Sequence, residues 1–102
     1  MKIKKSQPYR SGSMLAFLSV ETDSGLIIHD LRLMSGRNGP WVAMPSRPQV
    51  DREGSPRRDS NGTPRFSPIV EFRTGQIGDR FQQEVLETVR RDRPDLLKGG
   101  GS

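Results

Sequence analysis

The residue best suited to moving a proton is the single histidine, His29, which stands beside Asp30 with Arg32 two positions further on. An imidazole next to a carboxylate can act in acid–base catalysis, but that chemistry needs a positioned reacting partner, and no obvious nucleophile accompanies His29. We read it as a core histidine held by a structural hydrogen bond, and Asp30 with Arg32 as an ion pair on one strand face as readily as a site. The run Gly36, Arg37, Asn38, Gly39 has neither the dinucleotide-binding pattern nor a phosphate loop with its Lys and Ser or Thr, and reads as a turn. Carboxylates are scattered and there is no second histidine, so no metal site is expected. With no cysteine there is neither a thiolate ligand set nor a disulfide framework. The inventory predicts no enzyme, no cofactor and no small-molecule substrate.

The arginines say more. Arg47, Arg52, Arg57, Arg58 and Arg65 fall in one polar stretch, followed by Arg73 and Arg80 around the start of a helical pattern. A guanidinium is a planar fork of donors that bridges phosphate oxygens or stacks on bases, so an Arg-rich loop beside a basic helix start suits nucleic acid. Asp51, Glu53 and Asp59 lie in the same stretch and leave it only slightly positive, which a plain solvated loop would also show. Trp41, Phe66 and Phe72 could stack on bases, but isolated aromatics in strand-like runs are more often core.

These residues need a scaffold, and the chain offers a small one. It has 102 residues, 17 Lys and Arg against 12 Asp and Glu for a net charge of +5, and 30% hydrophobic residues. That predicts one basic domain with a thin core that self-association would extend. No apolar run approaches a membrane span, and the basic start Met1 to Lys5 is not followed by an apolar stretch, so a soluble, cytoplasmic protein is expected. Met14, Ala16, Leu18 and Val20 alternate as in a strand, Thr22 to Gly25 make a turn, and Leu26 to Met34 place Ile27, His29, Leu31 and Leu33 on one face. A second turn precedes Trp41 to Met44, giving a three-stranded meander, with Ile3 to Lys5 as a further edge strand. Residues 46–65 hold one strongly apolar residue, Val50, among several Pro and Gly, and predict a mobile loop. Pro68 limits Arg65 to Phe72 to an edge or bulged strand. After Thr74 as N-cap, Ile77, Phe81, Val85 and Val89, widened by Leu86, mark an amphipathic helix that Pro94 stops. Asp95 to Lys98 read as tail, Gly99 to Ser102 as a flexible linker outside the domain, and no internal repeat is apparent. The expected class is α+β: a small antiparallel sheet of three to five strands, a C-terminal helix and a long Arg-rich loop, forming one domain over residues 1–98.

The block Ile28, His29, Asp30, Leu31, Arg32, Leu33, then Gly36, Asn38, Gly39, then Val42, Ala43, Met44, Pro45, Ser46 resembles the SpoVG (septation regulator, stage V sporulation protein G) family. Met14 to Glu21 looks like the family's preceding strand, and Ser67, Pro68, Ile69 and the following helix look like its C-terminal part. The resemblance implies a small α+β fold, commonly homodimeric, that acts in bacteria as a DNA- and RNA-binding regulator and not as an enzyme. It implies nucleic-acid contact for the basic residue after the Met-Pro-Ser run, here Arg47, and extends it to the later loop arginines. Two features depart from the family pattern: the loop after Ser46 is longer, and Ser67 precedes Pro68 where His is expected. The N-terminal region also starts inside the expected first strand.

Residues and resemblance together predict a homodimeric regulator that binds DNA or RNA through Arg47, Arg57, Arg58, Arg65, Arg73 and Arg80, with the apolar meander making the dimer. The rival reading is an adaptor that captures a protein partner on a sheet edge or the helix stripe, with the arginines serving solubility.

Overall fold

In the computed structural model, residues 1–98 are described, and the Gly/Ser linker expected at 99–102 lies outside the described residues. Four antiparallel strands pair in chain order: β1 (Lys2–Ser11), β2 (Met14–Glu21), β3 (Ile27–Gly36) and β4 (Gly39–Ala43). Two short strands, β5 (Ser46–Pro48) and β6 (Phe66–Pro68), form a separate pair, followed by helix α1 (Gly75–Asp92). The α+β expectation holds, and the edge strand expected at Ile3 to Lys5 runs on to Ser11.

Helix α1 begins where Thr74 caps it, the Thr74 Oγ1 accepting the Ile77 N–H at 3.2 Å. Its stripe of Val85, Leu86 and Val89 is buried with Ala16, Leu18, Val20, Ile28, Leu31, Leu33 and Val42 of the sheet. The helix also closes the β4 edge: Gln82 Oε1 accepts the Val42 N–H at 3.1 Å, a group that would otherwise lack a strand partner. Pro94 does end α1, but the residues beyond it are not a tail. Pro94–Leu97 form a 3-10 turn that drives Leu96 to complete burial in the same core. Proline cannot continue an α-helix, yet its fixed φ suits the first position of a new turn.

The face of β3 differs from simple alternation. Leu18 pairs with Leu31 and Val20 with Ile28, so Ser19 alone stands opposite two residues, His29 and Asp30. This is a β-bulge, with Asp30 at φ 62°, the left-handed region a side chain rarely adopts. The extra residue reverses the inside–outside phase: Ile28 joins Leu31 and Leu33 in the core, whereas Ile27 and His29 are exposed. His29 is therefore not a core histidine, although the structural hydrogen bond exists, with its Nδ1 2.9 Å from Ser19 Oγ. Among the described residues Asp30 and Arg32 form no ion pair.

Strand alternation turns Phe17, Arg32, Met34 and Trp41 to the sheet face away from α1, since their neighbours Ala16, Leu18, Leu31, Leu33 and Val42 are buried. Tyr9 packs there against Phe17 with ring centroids 5.6 Å apart. Of the three aromatics expected in the core, Phe72 is partly buried against Phe81 at 5.1 Å, while Trp41 and Phe66 are 42% and 55% exposed.

Candidate nucleic-acid interface

The Arg-rich stretch owes its path to proline, aspartate and glycine at matched positions. Pro48-Gln49-Val50-Asp51-Arg52-Glu53-Gly54-Ser55 is followed by Pro56-Arg57-Arg58-Asp59-Ser60-Asn61-Gly62-Thr63 and then by Pro64-Arg65-Phe66. This is an eight-residue repeat that reading the sequence by residue class misses, because only Pro, Asp, Gly and a hydroxyl residue recur.

Each unit closes on its own aspartate. Asp51 Oδ1 accepts the N–H of Glu53 at 2.9 Å and of Ser55 at 3.0 Å; Asp59 Oδ1 accepts those of Asn61 at 2.9 Å and Thr63 at 3.0 Å. The turns need a left-handed residue at the same place, supplied by Gly54 at φ 82° and Gly62 at φ 79°. Beyond each turn the chain pairs back on itself, Val50 bridging to Pro56 and Arg58 to Pro64.

Where the arms meet β5 and β6, the three equivalent residues hydrogen-bond in a ring. Gln49 N–H donates to Arg65 C=O at 2.8 Å, Arg57 N–H to Gln49 C=O at 2.9 Å, and Arg65 N–H to Arg57 C=O at 2.9 Å. Residues 46–65, expected as a mobile loop, are mostly solvent-exposed yet follow this hydrogen-bonded path: a β5–β6 stem and two turn arms around a three-way junction.

The junction sorts the arginines. Arg47, opposite Ser67 in the stem, and Arg57, on the ring, line one open groove of about 570 Å³ together with Pro48, Gln49, Val50 and Ser67. Two guanidiniums, an amide and a hydroxyl on one concave surface are donors suited to phosphate oxygens. The Arg58 Nη1 instead donates to Gly62 C=O at 2.8 Å inside its own arm. Arg65 sits on the ring through its backbone, Arg73 precedes the helix cap and Arg80 is exposed on α1; none of these lines the groove. Gln49 and Ser67 were not expected at the site, since neither carries charge and only the register brings them beside Arg47 and Arg57.

Asp51 and Asp59, counted from composition as neutralising neighbours, spend their Oδ1 atoms on backbone N–H groups. The ion pairs among the described residues lie elsewhere, and the arginines of the stem and arms take no part in them. No helix among the described residues is long and apolar enough to cross a membrane. Among the described residues no three His, Asp or Glu side chains gather as a metal site.

Comparison with known proteins finds one family. The SpoVG family model matches residues 1–91. A Desulforudis audaxviator protein named "Putative septation protein SpoVG" is 47% identical over 76 residues, 74% of this chain and 73% of that protein. Proteins of the same name from Lachnospira eligens and Clostridium kluyveri are 36% identical over 82 residues and 43% identical over 75. The first alignment covers 80% of each chain, the second 74% of this chain and 66% of its relative.

Proposed function

The chain belongs to the SpoVG family, and from that premise we propose that it is a bacterial regulator that binds DNA or RNA as a homodimer and catalyses no reaction. The observation that carries the binding assignment is the groove that Arg47 and Arg57 share with Ser67 and Gln49. Phosphates of a nucleic-acid backbone would lie against those two guanidiniums, and the counterions they release would supply most of the affinity. Arg58, Arg65, Arg73 and Arg80 are outer contacts in this reading, adding long-range attraction more than shape. The dimer is assigned to the apolar end of the uncovered sheet face, where Trp41 stands opposite Met34, because covering a partly exposed indole removes a large apolar surface from water. Two protomers would then present two arginine grooves to one strand or duplex, and moderate clamps acting together gain affinity without new contacts.

Fluorescence anisotropy against labelled duplex DNA, single-stranded DNA and RNA at two salt concentrations tests this directly. The expected result is binding whose log–log salt slope is about −0.7 to −0.9 per neutralised phosphate, with the Arg47→Ala/Arg57→Ala variant losing roughly two such contacts. An unchanged slope in that variant overturns the groove assignment. Absence of binding to all three ligands at low salt overturns the function and leaves capture of a protein partner as the alternative.

A further inference from the structure

A second groove lies on the uncovered sheet face, far along the chain from the arginine arms, and the reading above does not use it. It has a volume of about 620 Å³ and is lined by Lys5, Gln7, Phe17, Ser19, His29 and Asp30. Two irregularities of the sheet bring these residues abreast. In β1 the register slips between Ile3 and Lys5, so that Lys5 stands opposite Ser19. In β3 the bulge at His29 and Asp30 swings the imidazole out of the core and against the Ser19 hydroxyl, 2.9 Å away. Lys5, Ser19 and His29 thus cross three neighbouring strands side by side, at the one place among the described residues where a non-glycine residue is held at positive φ. Backbone strain of this kind persists only where surrounding structure enforces it, and it collects at binding sites.

We propose that this groove binds a nucleotide unit, with its phosphate between Lys5 and His29, whose ring Ser19 orients, and its base against Phe17. The donor chemistry is that of an oxyanion site: an ammonium and an imidazole N–H, with the Ser19 hydroxyl spent on orienting the ring. When the Ser19 hydroxyl donates to Nδ1, the ring proton sits on Nε2, which remains free to donate to a ligand. Lys5 forms no ion pair among the described residues, unlike its neighbour Lys4, which reaches Glu21 at 3.4 Å. Inorganic phosphate alone would leave the rest of the lining idle. Phe17 offers a ring face, its position fixed by Tyr9, Gln7 offers an amide able to read a base edge, and Asp30 offers an acceptor for ribose hydroxyls. The proposal goes beyond the arginine groove and does not rest on it, since the two sites share no residue.

The single histidine makes the test clean, because its ring Cε1–H gives one resolved proton resonance in the intact chain. Uridine 5′-monophosphate, inorganic phosphate, uridine and a uridine trinucleotide without a terminal phosphate are titrated at constant ionic strength. The expected result is a saturable shift with the monophosphate at millimolar concentration or below, and weaker responses to phosphate and to uridine alone. Lys5→Gln, a change on an exposed edge strand, weakens binding about tenfold, as does Ser19→Ala, and Arg47→Ala/Arg57→Ala leaves it unchanged. A trinucleotide that binds as tightly as the monophosphate assigns the groove to a strand; one that binds more weakly assigns it to free nucleotide. No response to any probe, or an equal response to uridine and its monophosphate, overturns the proposal. So does a resonance that moves only with protein dilution, which would give the groove to a second copy of the chain.

Discussion

Excising residues 57–64 removes one whole arm of the junction, and the repeat dictates what takes its place. Pro56 becomes joined to Arg65, restoring the Pro-Arg step that Pro56 and Arg57 make. Gln49 keeps its N–H bond to Arg65 C=O, and Gln49 C=O, which accepts Arg57 N–H, receives Arg65 N–H instead. The three-way ring collapses to an ordinary antiparallel pair with no donor orphaned. The deleted residues are all exposed, so no core contact is lost, and their turn hydrogen bonds leave together with both partners. Roughly halving the connection between β5 and β6 lowers the loop-closure cost by about 0.6 kcal/mol. The expected stability change is therefore within about 1 kcal/mol, a shift in Tm of a few degrees for a domain of this size. Thermal and urea unfolding followed by circular dichroism measure it, and an amide NMR spectrum shows whether the four-stranded sheet is undisturbed. A loss above about 2 kcal/mol would refute the equivalence of positions 49, 57 and 65, since nothing else in the segment can account for so much. Nucleic-acid binding should fall only modestly, because Arg65 would take the place of Arg57 beside Arg47. The salt slope is expected to drop by no more than about one phosphate contact, roughly 0.9, against two for Arg47→Ala/Arg57→Ala.

Two further substitutions probe the frame around the sites. Leu96→Ala should cost about 3 kcal/mol in urea unfolding, because Leu96 is completely buried although it follows the helix-ending proline; a cost near zero would mean that the 3-10 turn does not pack. Asp30→Ala should lower stability by about 1 kcal/mol and Asp30→Asn should not, since asparagine tolerates the left-handed backbone that alanine resists; equal stability of the two variants would argue against the bulge.

Alternation and spacing made the meander, the capping threonine and the helix stripe readable, because each follows from a local period that burial enforces. What stayed hidden depended on register. The segment from Leu26 to Met34 alternates cleanly enough to place His29 with Leu31 and Leu33, and nothing local announces that Ser19, on another strand, faces two residues of β3. The groove of Lys5, Ser19 and His29 was invisible for the same reason. The arms were concealed differently: low hydrophobicity and abundant Pro and Gly correctly signal that no core is built there, yet the same prolines, with Asp51, Asp59, Gly54 and Gly62, specify two turns and a junction. Composition reports how much is buried, not how many backbone hydrogen bonds are made. The family resemblance singles out Arg47 after the Met-Pro-Ser run, whereas only the junction shows that Arg47 and Arg57 line one groove.

That distinction bears on affinity, because an arginine on a shaped backbone and an arginine on a free coil differ in what binding must order. Fixing one residue's backbone costs about 1–2 kcal/mol, so releasing even one junction residue should weaken binding about fivefold or more. The aspartates make the two views separable. Removing Asp51 and Asp59 takes two negative charges from beside the arginines, so an argument from charge alone expects tighter binding to any polyanion. If their hydrogen bonds to the turns hold the arms in shape, the outcome depends on the replacement. Asp51→Asn/Asp59→Asn keeps a side-chain oxygen that accepts the same N–H groups and should bind tighter than the native chain. Asp51→Ala/Asp59→Ala removes the same charge without keeping the acceptor and should bind more weakly than the Asn pair by at least that fivefold margin. Anisotropy titrations of the two double variants at one salt concentration decide the matter, since their net charges are equal. Equal affinities would mean that the arms contribute charge and no shape, and the groove of Arg47 and Arg57 would lose its claim to be a preformed site.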